Sequence, residues 1–162
     1  MEMNFIAILV AASTTLVVGS IWYSPILFGN AWMKETGLTE EDLKKGSMLK
    51  IFGLTYLFSV FFALIFQVLC IHQFGPLGMI GGPDMIESAK PSYGAFMADY
   101  GDVFRTFKHG ALHGFMSGLF LAFPFIAING LFERKSWKYI FIHTGYWVVT
   151  MTIMGAILCG WV

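Results

Sequence analysis

Four long apolar runs, separated by polar and turn-rich segments, set the pattern of this chain. Residues 4–23, 51–71, 111–132 and 139–161 contain no Asp, Glu, Lys or Arg. At 1.5 Å rise per residue, about twenty apolar residues cross the roughly 30 Å hydrocarbon core of a bilayer. A buried helix of a soluble domain rarely stays apolar for so long. The pattern therefore predicts an all-α, polytopic membrane protein with four transmembrane helices, forming one membrane domain over residues 1–162. The link between the last two spans, residues 133–138, is short enough to make them antiparallel neighbours.

The other two connections predict interfacial segments. In the first, Pro25 ends span 1 because it lacks an amide hydrogen and biases Ser24 away from helix. Ile26, Leu27, Phe28 and Trp32 then suit the headgroup zone, giving an interfacial segment over about residues 26–45. Within it Thr39 has the character of an N-cap, followed by Glu40, Glu41 and Asp42 in a first turn. In the second connection, residues 73–85 are punctuated by Gly and Pro and read as a loop. Tyr93, Phe96, Met97, Tyr100, Phe104 and Phe107 recur at steps of three and four. That spacing predicts an amphipathic helix over about residues 91–106, with Asp99, Asp102 and Arg105 on its wet face.

Span 3 carries two interleaved four-residue series. Gly110, Gly114, Gly118 and Ala122 make a small-residue edge against which another helix can pack closely, either within the chain or in a second copy. His109, His113 and Ser117 run alongside about a hundred degrees away. Pro124 removes a bond to the carbonyl of Phe120 and disturbs the helix there.

Composition agrees with a lipid-solvated chain: 57% hydrophobic, 12% charged, mean hydropathy +0.70. Soluble domains carry about 25% charged residues. A net charge of zero and the lack of a basic cluster argue against nucleic acid as a partner. The two sides of the membrane are not equally basic. Lys34, Lys44, Lys45, Lys50, Arg134, Lys135 and Lys138 fall on one side, against Lys90, Arg105 and Lys108 on the other. Positive charge prefers the cytoplasm, so both termini are expected outside. Glu2 stands where a signal peptide would be basic, so the first apolar run reads as a retained span. Cys70 and Cys159 are too few for a disulfide framework; both fall near the outer ends of their spans, where small buried thiols and a single bridge are alternative readings.

The runs GSIWYSPILFGNAWMKETG, HGALHGFMSGLFLAFP, LFERKSWKY and GYWVV resemble the bacterial membrane proteins grouped as domain of unknown function 1761. The resemblance covers essentially the whole chain, and the stretch containing Trp22, Tyr23, Ser24, Pro25, Gly29 and Trp32 is its most specific part. It implies a small four-pass protein of the bacterial inner membrane and brings no activity, and no cofactor, with it.

Chemistry concentrates in four histidines. His72 ends span 2 on the outer side, where His109 and His113 begin span 3, so the three can converge. Asp99 or Asp102 could add an oxygen. Such a set would take zinc or another divalent metal; equally, neutral imidazoles could bridge helices by hydrogen bonds or relay protons. His143 lies towards the inner side, and Asn129 is its expected partner in depth. Motifs for nucleophilic catalysis, phosphate loops and dinucleotide binding are missing. The expected function is a non-enzymatic binding or accessory membrane protein with the bilayer, a second copy or another membrane protein as partner. A small-solute or metal transporter and a histidine-dependent metalloenzyme are the alternatives.

Overall fold

The computed structural model describes residues 3–162, so Glu2 lies outside the described residues. Those residues form helices and no strand. α1 (Phe5–Trp22), α4 (Met48–Cys70) and α9 (Trp137–Gly160) are single long helices. α7 (Phe107–Ser117), a π-helical turn (Gly118–Ala122) and α8 (Phe123–Phe132) run on as one 26-residue helix. These four are long and apolar enough to cross a membrane. Between them lie α2 (Gly29–Thr36), α3 (Glu40–Lys44), α5 (Phe74–Met79), a 3₁₀ turn (Pro83–Met85) and α6 (Pro91–Tyr100).

Side-chain caps set several boundaries. Asn4, Ser47, Thr106 and Ser136 each accept a backbone N–H from the first turn of α1, α4, α7 and α9. Thr39 and Asp42 cap α3 reciprocally. The π-helical turn lies just ahead of Pro124, whose missing N–H cannot serve Phe120, so the helical register opens by one residue there.

The bundle is organised around α9 rather than around the glycine-bearing span 3. α9 packs against α1, α4 and α7, and its face of Met151, Met154, Leu158 and Cys159 meets Ile8, Ala11, Ala12, Ala63, Phe66 and Cys70. Span 3 is mostly exposed because its large side chains, among them Phe115, Phe120 and Phe125, point outward. Its buried face is the glycines. A Cβ on Gly110 would lie 2.1 Å from the Gly155 carbonyl oxygen, and one on Gly114 would lie 2.0 Å from that of Met151. The two backbones touch. Gly118 faces Val148 in the same way, and Ala122 is half-buried against the core.

Polar groups of α1, α4 and α9 pair across the bundle, which suits a medium without water. Thr15 and Ser59 share a 2.7 Å hydrogen bond between α1 and α4, and the Tyr146 hydroxyl donates to the Thr15 carbonyl at 2.9 Å. Cys70 and Cys159 are free, buried thiols.

Two connections differ from expectation. Residues 74–79 form the short helix α5 rather than a loop. The amphipathic helix stops at Tyr100 instead of continuing to residue 106, so Phe104 and Phe107 leave its face. Phe104 takes a left-handed φ of 67° and turns the chain into Thr106, the cap of α7.

Candidate metal centre

The end of α4 and the start of α7 meet on the side of the bundle that also holds the C-terminus and Asn4, where Asn4 reaches the Trp161 carbonyl. α4 ends at Cys70, Ile71 is extended, and His72 follows at once. Thr106 starts α7 by accepting the His109 N–H, which puts His109 and His113 one turn apart on one face. The glycine contact with α9 fixes how close that face comes to α4.

The result is a cluster in which all three Nε2 atoms converge. They lie 2.8 Å (His72–His109), 3.0 Å (His109–His113) and 3.3 Å (His72–His113) apart. Hydrogen bonding alone accounts poorly for this triangle. Each neutral imidazole presents either a lone pair or an N–H at Nε2. With three such atoms in mutual contact, at least one of the contacts must join like with like. A cation at the focus removes the conflict, because all three lone pairs can then point at it. Ligands about 2.0–2.1 Å from a tetrahedral zinc sit about 3.3–3.4 Å apart. A point about 2.05 Å from all three nitrogens lies roughly 1 Å off their plane, leaving one side open for a fourth ligand. The donor set therefore fits a divalent transition metal, with neutral imidazoles suited to zinc, copper, iron or nickel. Among the described residues only histidines make up the set; Asp99 and Asp102 are not among the converging ligands.

Phe104 completes the surroundings. Its ring stacks on His109 at 4.8 Å between centroids and meets His72 edge-on at 5.8 Å. The left-handed backbone that places it costs about 1–2 kcal/mol in a residue with a Cβ. Its carbonyl is held by the Thr106 N–H at 2.8 Å and the Cys159 thiol at 3.3 Å. The sequence pattern missed this residue by counting it on a helix face. The clue was Thr106, whose capping character ends any helix running into it.

His143 and Asn129 are not brought together. Asn129 is exposed on α8, whereas Ala127 and Gly130 form that helix's buried side. His143 Nδ1 instead shares a 2.9 Å hydrogen bond with the Tyr23 hydroxyl, while its buried Nε2 has no hydrogen-bond partner and its ring packs on that of Tyr139. The Trp22–Trp32 run builds this second polar site. Trp22 Nε1 donates to the Ile142 carbonyl at 3.0 Å, and its ring fills the space left by Gly145. The Ser24 carbonyl accepts the N–H groups of Leu27 and Gly29 in the turn that begins at Pro25. A Cβ at Gly29 would lie 2.5 Å from the Tyr23 carbonyl oxygen, so the turn closes only on glycine. Trp32 then packs edge-on against Tyr23 at 5.4 Å. These residues dock α2 onto α9 and do not approach the three histidines.

A family model described as a protein of unknown function (DUF1761) matches residues 6–159. No curated protein and no solved structure matches the chain.

Proposed function

We propose, for a chain that belongs to the DUF1761 family, that it is a metal-binding membrane protein whose centre is His72, His109 and His113. The observation that carries this reading is the convergence of three Nε2 atoms within 3.3 Å of one another at the junction of α4 and α7. Zinc is the metal the set suits best, since it accepts three imidazoles and a fourth ligand without a preference imposed by d-electrons. The resemblance supports a bacterial inner-membrane location, and the Lys and Arg distribution supports both termini, and hence the centre, on the outer side. The role is one of binding, exercised by the chain alone or with a second membrane component.

The test is the metal content of protein purified from zinc-supplemented cells. Wild type is expected to hold about one zinc per chain, and the double variant His109→Phe/His113→Phe close to none, with helicity unchanged by circular dichroism. Equal metal content in the two would overturn the reading.

A second reading, a hydrolytic metalloenzyme, is favoured by one feature. Three protein ligands with an open fourth position is the coordination of catalytic rather than structural zinc. Chelator-sensitive ester hydrolysis that disappears in the same double variant would support it.

A further inference from the structure

The cluster is charge-uncompensated and adjoins an apolar cavity through His72, and the two facts together point to a ligand. Three neutral imidazoles leave the charge of a bound divalent ion intact, with no carboxylate in the set to offset it. A bound cation of that kind is the largest local charge in its site. An anionic fourth ligand is therefore preferred over a neutral one. Adjoining His72 is a cavity of about 240 Å³ walled by Pro76, Phe96, Tyr100, Val103 and Phe104. It is smaller than the roughly 300–1,000 Å³ of most ligand pockets, so its occupant is small.

Gln73 and Tyr100 are the other polar side chains on this wall, and the Gln73 NH2 group is already engaged, while its Oε1 is buried without a partner. Its Nε2 donates to the carbonyls of Tyr100 at 3.1 Å and Val103 at 2.9 Å, which holds the end of α6 and the following loop over the cavity. Gln73 Oε1 can only accept, so the charged anchor for an anionic occupant is the His72 end, and the apolar part of the wall rewards apolar surface.

Resting on the metal centre proposed above, we infer that this cavity seats a monocarboxylate with a short apolar chain. The carboxylate completes the metal's coordination, and the chain lies against Phe96, Tyr100 and Val103. Acids of this kind partition to the membrane interface, the level that the ends of spanning helices such as α4 and α7 reach. Val103 borders the space and is not one of the converging ligands.

The experiment uses the full chain in nanodiscs loaded with Co²⁺, whose visible spectrum reports both occupancy and coordination. Hexanoate is expected to perturb the spectrum with a Kd at least tenfold below that of acetate, since each buried methylene contributes up to about fourfold. Hexylamine, with the same chain and the opposite charge, should leave the spectrum unchanged. Val103→Trp should bring hexanoate to the affinity of acetate while binding the same amount of Co²⁺. Full Co²⁺ binding with no preference for hexanoate overturns this inference alone, as does a preference that survives Val103→Trp. Failure of the wild type to bind Co²⁺ overturns the metal centre, and the ligand site with it.

Discussion

Replacing Gly114 by alanine adds one methyl group at the point where α7 and α9 touch, one residue from His113. That carbon would lie 2.0 Å from the Met151 carbonyl oxygen, 2.6 Å from its carbonyl carbon and 2.7 Å from Thr152 Cα. All three are backbone atoms, so no side chain can rotate away. Ordinary contacts between carbons are about 3.5–4.0 Å, and α7 must withdraw from α9 by more than about 1 Å. Overpacking of this kind costs about 1–3 kcal/mol. The withdrawal also shifts His109 and His113 relative to His72 on α4, whereas metal–ligand distances tolerate only about 0.2 Å. Zinc affinity should fall about 10–100-fold, the range typical of disturbed support around a metal site. Thermal denaturation in detergent and competition with a fluorescent chelator measure the two effects on one preparation. Gly53→Ala on α4 is the control, because nothing lies within 4 Å of the added carbon. A Gly114→Ala protein with wild-type melting temperature and zinc affinity would refute the argument that this contact sets the geometry of the centre.

Tyr23→Phe deletes the hydroxyl that pairs with buried His143 Nδ1 and should cost about 1–3 kcal/mol of stability; additive losses for Tyr23→Phe and His143→Phe in a double-mutant cycle would show that the pair is not coupled. The Lys45 ammonium and the Thr39 hydrogen bonds hold the Asp42 carboxyl down at about 2. Because that lies below its unfolded value of about 3.9, the cap of α3 contributes fully above pH about 4 and is lost as pH falls through about 2. A carboxyl carbon NMR titration with a midpoint near 4 would contradict this. With both termini outside, a cysteine appended after Val162 should react with a membrane-impermeant maleimide in intact spheroplasts; labelling only after permeabilisation would reverse the topology.

The spans are legible in the sequence because lipid tolerates almost no charge over twenty residues, and that constraint leaves a pattern every reader of hydropathy can see. The convergence of histidines is legible to the extent that span order dictates it: His72 ends one span, and His109 and His113 begin the next on the same side. Their Nε2 geometry is not, since it depends on how closely α7 approaches α9, and the glycine series does not name its partner. The primacy of α9 was hidden for a related reason. Its apolar residues run all round, so nothing in its pattern distinguishes a lipid face from a protein face. Phe104 was misplaced because a three-and-four spacing continued past Tyr100 by coincidence, through Gly101 and into a left-handed turn. Tyr23 and His143, 120 residues apart in the chain, meet through a turn whose register no local rule supplies.

The most direct measurement of the central claim is zinc X-ray absorption on the purified protein, with metal stoichiometry determined alongside. The account predicts about one zinc per chain, with a first shell of three imidazole nitrogens at about 2.0–2.1 Å and one oxygen as the fourth ligand. Stoichiometry no higher than in the His109→Phe/His113→Phe variant, or a first shell without imidazole scattering, would contradict it.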